Sequence, residues 1–191
     1  MTAKGVLDLS FNDLAVEADV NTCLINLAKV EEQQNGGVTM SPTKTKRRQT
    51  ETKAIRLGNN NISDVDMLGG ALSQVCMLEN VHWLDLSFNG IEKLTEAFAK
   101  SFPNLSVLYL QANGVSKLSE LRKLSYFKNL KSVVLFGNPI EGSKHYRSMI
   151  LWACPQLQIL DFCPITAGQR HRNEIWASVF RRKLYPDEDF D

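Results

Sequence analysis

The sequence predicts an α/β solenoid, with short parallel strands stacked into a curved sheet of about five strands, helical or 3-10 returns on its convex side and a helical cap at the C-terminus. Three observations carry that prediction. The first is the spacing L-x-x-L-x-L-x-x-N-x-L. It is filled by Val81, Leu84, Leu86, Asn89 and Ile91, by Leu105, Leu108, Leu110, Asn113 and Val115, and by Leu130, Val133, Leu135, Asn138 and Ile140. A trimmed copy precedes them in Ile55, Leu57, Asn60 and Ile62. The second is the period, because the asparagines stand at 60, 89, 113 and 138, in steps of 29, 24 and 25 residues. The third is the alternation inside each copy (Leu84 and Leu86, Leu108 and Leu110, Val133 and Leu135), which turns one side of each short strand inward.

A repeat of that length and template is the signature of leucine-rich repeats, whose units bury their apolar side only by stacking on their neighbours. The asparagine falls where the chain leaves the strand. Its carboxamide carries two donors and an acceptor, so it can pair with backbone groups of adjacent coils that no sheet ladder reaches. These residues are expected to be scaffold, and none of them is a candidate site residue.

Residues 1–33 are read as an N-terminal arm. Leu7, Leu9, Asn12 and Leu14 repeat the hexapeptide Leu-Asp-Leu-Ser-Phe-Asn, so a first repeat is one option. A hidden second repeat over Leu27 to Val38 is rejected, because it puts Glu32 and Gly37 where leucines belong. The reading taken is a short extended piece and then a helix from about Asn21 to Gln33, with Cys23, Leu24, Leu27, Ala28 and Val30 on one side, covering the first strand's open edge. Residues 34–51 are a polar linker containing Ser41-Pro42 and the basic run Lys44-Thr-Lys-Arg-Arg48. That run is either a solvated loop or a contact for an acidic surface, switchable by phosphorylation at Ser41.

The repeat domain with its cap is assigned to 52–183. Its first return, with Val65, Leu68, Leu72, Val75 and Leu78, is long enough for a true helix opened by Ser63 or Asp64. Phe98 and Phe102 fill the next return. Leu118, Leu121, Leu124, Phe127 and Leu130 recur every three residues, which suits a 3-10-like return. A helical stretch from Lys144 to Trp152 leads to a last strand around Leu157, Leu160 and Phe162, after which no asparagine follows. Thr166 and Gln169 form a capping box for a closing helix, whose Ile175, Trp176, Val179 and Phe180 are read as core sealing the sheet edge. Residues 184–191 are an acidic tail.

Composition narrows the function classes. The net charge is +1 over 191 residues, so no bulk field favours nucleic acid or membrane. There is no run of 18 apolar residues and no apolar leader after Met1, so neither a membrane span nor secretion is expected. Cys23, Cys76, Cys154 and Cys163 are scattered without metal-ligand spacing, which suits reduced thiols in the cytosol. His82, His145 and His171 have no nucleophile or metal partner at a telling spacing, and no phosphate-binding or nucleophile-elbow motif occurs. No catalysis, cofactor or small-molecule substrate is expected.

The third, fifth and seventh places of the template line the concave sheet. Read strand by strand they are Ala54, Arg56, Gly58; Trp83, Asp85, Ser87; Val107, Tyr109, Gln111; Ser132, Val134, Phe136; and Ile159, Asp161, Cys163. A merely solvated sheet face reads mostly polar. Here Trp83, Val107, Tyr109, Val134, Phe136 and Ile159 make an apolar and aromatic stripe, with Arg56 and Asp85 at one end and Gln111 beside it. Such patches mark binding surfaces, and tryptophan and tyrosine are favoured anchors. The candidate partner-binding residues are therefore Arg56, Trp83, Asp85, Val107, Tyr109, Gln111, Val134, Phe136 and Ile159. The alternative is that the terminal helices or the arm fold over part of this stripe.

With the repeats placed, the chain resembles the leucine-rich repeat-containing protein 51 family of ciliated eukaryotes over nearly its whole length. The resemblance rests on Trp83 to Asn89, on Asn104 to Leu110, on Gly137-Asn-Pro139 followed by Tyr146-Arg147, on Leu160-Asp-Phe162 with Thr166 and Trp176, and on Leu7 to Phe11. The closing segment is similar to a cap in which a tyrosine and an aspartate, here Tyr146 and Asp161, tie the last turns. The chain departs from the vertebrate pattern in its longer 31–50 linker. The resemblance implies no enzymatic activity and a cytoplasmic protein of the ciliary or flagellar axoneme, with an axonemal or microtubule-associated partner, tubulin included. A regulatory subunit of a phosphatase or dynein motor is the rival reading, and direct nucleic-acid binding is disfavoured by the charge.

Overall fold

A computed structural model describes residues 5–11 and 52–184. The expected helix over 21–33, the linker and the acidic tail lie outside the described residues. Seven strands form one sheet in strict chain order: β1 Val6–Asp8, β2 Ala54–Arg56, β3 Trp83–Asp85, β4 Val107–Tyr109, β5 Ser132–Val134, β6 Ile159–Leu160 and β7 Cys163–Pro164. The first six run parallel, and β7 turns back antiparallel on β6. The five expected strands are β2 to β6. The sheet is longer at both ends because the N-terminal hexapeptide supplies β1, in register Leu7 to Ile55, and a hairpin supplies β7.

The returns differ from coil to coil because their apolar spacing does. The helices are α1 Leu68–Ser73, α2 Glu96–Ser101, α3 Leu118–Arg122, α4 Tyr146–Ala153 and α5 Ala167–Leu184. The helix expected to open at Ser63 or Asp64 starts at Leu68 instead. Asp64 spends its carboxylate on the backbone N–H of Asp66 (2.9 Å), a local turn that competes with helix initiation. Thr95 caps α2 by accepting from Phe98 N at 3.1 Å. The three-residue spacing after Leu118 gives a five-residue helix that tightens into a 3-10 turn over Lys123–Tyr126. Thr166 and Gln169 form the expected reciprocal cap of α5, at 2.9 and 3.2 Å. No described helix is long and apolar enough to cross a membrane.

One apolar core runs the length of the solenoid, and the template leucines Leu84, Leu86, Leu108, Leu110 and Leu135 are each 0% exposed. Phe98 packs edge-on to Phe102 and to Phe127, each at 5.5 Å, which joins successive convex returns. At the C-terminal end two expectations change. Ile175 and Val179 are 57% and 61% exposed. The buried side of α5 is formed by Trp176 and Phe180, which lie against the His145 ring at 5.7 and 5.6 Å, because α4 rather than the sheet edge receives this helix. Arg170 donates to Pro155 O at 2.7 Å and to Leu157 O, and so fastens α5 to the last coil.

The asparagines repeat one arrangement. Asn113 Nδ2 donates to Leu86 O, Leu110 O and Gln111 O, and its Oδ1 accepts from Ile91 N at 3.0 Å. Asn138 does the same toward Leu110 O, Leu135 O and Val115 N. Asn89 bonds Leu57 O, Leu86 O, Ser87 O and Ile62 N, and Asn60 reaches back to Leu9 O at 3.0 Å. The residue before each asparagine position is left-handed, with φ of 59, 58, 54, 54 and 75° at Phe11, Asn59, Phe88, Ala112 and Gly137.

Two predictions follow from this packing. Asn113 and Asn138 are buried while Asn89 is half-buried. Unfolding in urea should therefore show Asn113→Ala and Asn138→Ala each losing about 2 kcal/mol or more, and Asn89→Ala less, since unpaired buried groups cost about 1–3 kcal/mol apiece. Burial also pushes the Cys76 and Cys154 thiols from 9.0 up to about 12, in Cys76 with help from Glu79. A raised folded value means the stabilisation is complete below the unfolded thiol's range and is lost as pH rises, because the unfolded thiol ionises first. The urea midpoint should fall between about pH 9 and 12, and a Cys76→Ala, Cys154→Ala variant should fall less over that interval.

Candidate functional site

The period-2 geometry of the strands puts the third, fifth and seventh template places on one sheet face. The parallel register sets these places side by side. Ala54 pairs Trp83, which pairs Val107, then Ser132, then Ile159. Asp8, Arg56, Asp85, Tyr109 and Val134 form the neighbouring row. Trp83, Tyr109 and Phe136 therefore lie on a diagonal, each one strand over and two residues further along.

The first two rings on that diagonal touch. Trp83 and Tyr109 meet edge to face at 5.2 Å and 72°. The Arg56 guanidinium lies over the Trp83 ring at 5.6 Å and also pairs with Asp8 at 3.5 Å. Small neighbours keep this part of the face low. A Cβ on Gly58 would stand 3.0 Å from Ser87 Oγ and 3.5 Å from Asp85 Oδ1. Asp85 Oδ1 accepts from Ser87 N at 2.9 Å and from Ser87 Oγ at 2.5 Å.

Of the nine candidate residues, Arg56, Phe136 and Ile159 are exposed, and Trp83, Asp85, Val107, Tyr109 and Gln111 are half-buried. Gln111 carries a buried Oε1 with no hydrogen-bond donor. Val134 is the exception, because it is 0% exposed and so cannot present a surface. Its register partner is Tyr109, and Phe136 follows it two residues on. The ring of Phe162 lies against both, at 5.6 and 6.0 Å. Asp161 and Phe162 are consecutive left-handed residues, φ 52 and 62°, and they reverse the chain into β7. That reversal puts Phe162 over this end of the face, where the template alone gives no reason to expect it. The signal in the sequence is the missing asparagine after Leu160, which leaves the turn free to take another course.

Asp161 stands in for that asparagine from within the last turn. Its Oδ1 accepts from Leu135 N and Phe136 N, at 2.8 and 3.1 Å, and its Oδ2 accepts from the Tyr146 hydroxyl at 2.9 Å. Burial first, and then the Asp161 charge, push the Tyr146 hydroxyl well above its ordinary range. This anchors the rim on which Phe136 and Phe162 sit. The histidines lie elsewhere. His82 Nδ1 meets Asn104 O at 3.0 Å, His145 Nδ1 takes the Trp176 indole N–H at 3.2 Å, and His171 faces Glu174. Among the described residues no group of three or more His, Cys, Asp or Glu side chains could hold a metal ion.

Known proteins share this architecture. The family described as "Leucine-rich repeat" matches residues 48–184. Leucine-rich repeat-containing protein 51 of Mus musculus is 34% identical over 175 residues, covering 91% of this chain and 85% of that protein. The Homo sapiens protein of the same name is 34% identical over the same shares of both chains, 91% and 85%. Among solved structures, the Drosophila melanogaster SNF/U2A' complex contains a chain with a TM-score of 0.66 at 21% identity, covering 97% of this chain and 88% of that one. At that identity the likeness concerns the fold alone.

The Tyr109–Phe162 contact is open to a double-mutant cycle. Aromatic pairs of this geometry are worth about 0.5–1.5 kcal/mol beyond the area they bury. Tyr109→Leu and Phe162→Leu should show a coupling in that range by urea unfolding, and additive losses would mean that Phe162 does not rest on the face in solution.

Proposed function

This chain belongs to the leucine-rich repeat family, with leucine-rich repeat-containing protein 51 among its relatives, and we propose that it is a non-catalytic interaction module that holds a protein partner on its concave sheet in the axoneme of cilia or flagella. The observation that carries the reading is the diagonal of Trp83, Tyr109 and Phe136. Its rings reach solvent on a sheet face that they share with Val107 and Ile159, flanked by the charged Arg56 and Asp85. Rigid aromatics presented this way give large contact area at little entropic cost, and they are the commonest energetic anchors of protein interfaces. The backbone of the face needs no rearrangement to receive a partner, because every strand beneath it is fixed by its neighbours' hydrogen bonds. The axonemal setting rests on the family likeness. It points to an axonemal or microtubule-associated polypeptide, tubulin included, assembled in the cytoplasm.

The test is capture from an extract of ciliated cells with the full-length chain as bait. The wild type should recover axonemal protein, and Trp83→Ala with Tyr109→Ala should lose about tenfold or more of it, as expected for two anchors each worth over 1 kcal/mol. Circular dichroism should show the same fold in both. Undiminished capture by the double variant removes the concave face from the interaction.

A further inference from the structure

The hexapeptide Leu-Asp-Leu-Ser-Phe-Asn occurs twice, at Leu7 to Asn12 and at Leu84 to Asn89, and its two aspartates face different company. Asp8 is answered from the next strand, where its register partner Arg56 pairs with it at 3.5 Å. Asp85 occupies the equivalent place on β3, and its partner on the next strand is Tyr109. Arg56 is also the register partner of Asp85 from the other side. Its guanidinium is turned instead to Asp8 and over the Trp83 ring. Asp85 Oδ1 is taken by the two Ser87 donors, and no ion pair or hydrogen bond to its Oδ2 is found among the described residues.

Apart from Arg56, whose guanidinium is turned away, the groups on this side of the carboxylate are electron-rich. Trp83 and Tyr109 form a corner, with their rings at 72°. Gln111, two residues beyond Tyr109 on the same face, holds an Oε1 that no donor reaches. The Trp83 ring already carries the Arg56 guanidinium, so this corner accepts cationic company. Aromatic faces and an unpaired carboxylate attract the same ligand, a charged donor. The charge of the surrounding solenoid agrees. Residues 5–11 and 52–113 hold four Lys and Arg against seven Asp and Glu, whereas residues 114–184 hold twelve against four. The net charge of +1 conceals this segregation, and the corner lies in the acidic half.

We propose that the corner of Trp83, Asp85, Tyr109 and Gln111 takes a basic side chain, arginine or lysine, from the protein partner, giving Asp85 the cation that Arg56 gives Asp8. This rests on the concave sheet being the partner-binding face and names the chemistry it reads there. The partner's guanidinium or ammonium donates to Asp85 Oδ2, lies against Tyr109 and the Trp83 edge, and reaches Gln111 Oε1 after a turn of that amide. Arg56 is a resident competitor that covers Trp83 until the partner arrives.

The experiment titrates the full-length, nitrogen-15-labelled chain with N-acetyl-arginine methylamide. N-acetyl-norleucine methylamide and N-acetyl-glutamate methylamide serve as neutral and acidic controls. The arginine probe should move the Trp83 indole N–H and the amides of Asp85, Ser87, Tyr109 and Gln111, and neither control should do so. Asp85→Asn keeps the oxygen that accepts the Ser87 bonds, so the turn survives, and it should weaken the arginine probe about threefold or more, as for an exposed ion pair with cation–π support. Arg56→Gln should strengthen it about twofold, with the largest shifts still at Trp83 and Asp85. Equal shifts from the norleucine probe, an unaffected Asp85→Asn variant, or weaker binding after Arg56→Gln would each overturn the proposal. Capture from ciliated-cell extract separates it from the broader reading. If Asp85→Asn captures like wild type while the Trp83, Tyr109 double variant does not, the face binds a partner but reads no cation there.

Discussion

The structure depends on the asparagine carboxamide that closes each coil. A leucine-rich coil leaves its strand after only three residues, so several carbonyls and N–H groups at the turn have no ladder partner. They are sealed inside by the leucines on either side. A buried, unpaired backbone group is too costly to repeat four times in a domain of this size. One carboxamide supplies two donors and an acceptor at one point, and Asn113 uses them on the carbonyls of two coils and an N–H of the preceding one. No other side chain of that size can do this without carrying charge into the core. The period of the sequence is therefore the period of a hydrogen-bonding problem as much as of a hydrophobic one.

That closure has a backbone condition, the left-handed residue that precedes each asparagine position. Glycine takes this conformation freely at Gly137, where an added Cβ would stand 3.3 Å from Ala112 N. Asn59 tolerates it, and Phe11, Phe88 and Ala112 adopt it at a cost. Phenylalanine is held there because the stacked coil over-determines the turn, with Phe11 N bonded to Gly58 O and Phe88 N to Gln111 O. At the last coil the carboxamide is replaced by the Asp161 carboxylate, which takes two backbone N–H donors and the Tyr146 hydroxyl. With no further coil to receive, two consecutive left-handed residues turn the chain back on itself. The end of the repeat thus also places Phe162 on the concave face.

The scaffold and the surface are divided by the alternation of the strands. Inward places are leucine, isoleucine or valine in every coil and could be exchanged among themselves at modest cost. Outward places differ from coil to coil, since stacking makes no demand on them. Trp83, Tyr109 and Phe136 recur on different rows of successive strands, a diagonal that stability alone does not require. Stability would be served equally by threonine or serine there, as at Ser87 and Ser132. The excess of aromatic surface is what a partner would use.

The sequence by itself determined the repeat, the inward leucines, the asparagine positions, the capping box at Thr166 and the concave rows as far as Ile159, because all of these follow from local periodicity and from side-chain chemistry that acts within a coil and its neighbour; past Ile159, Asp161 turns to Tyr146 and Cys163 enters the reversed strand instead of lining the face. It also pointed to Tyr146 and Asp161, though only through likeness to a family. Tertiary structure alone decided that Val6–Asp8 enters the sheet as its first strand, since residues 9–53 separate it from the strand it pairs with. It decided that Val134 is buried although it stands on the concave row, that the chain's reversal lays Phe162 against Tyr109 and Phe136, that α5 packs through Trp176 and Phe180 and leaves Ile175 outside, and that Arg56 answers Asp8 and leaves Asp85 open. Each of these depends on which of several chemically acceptable neighbours lies nearest in space. Periodicity fixes the rows of a solenoid, but the choice between neighbours belongs to the packed molecule.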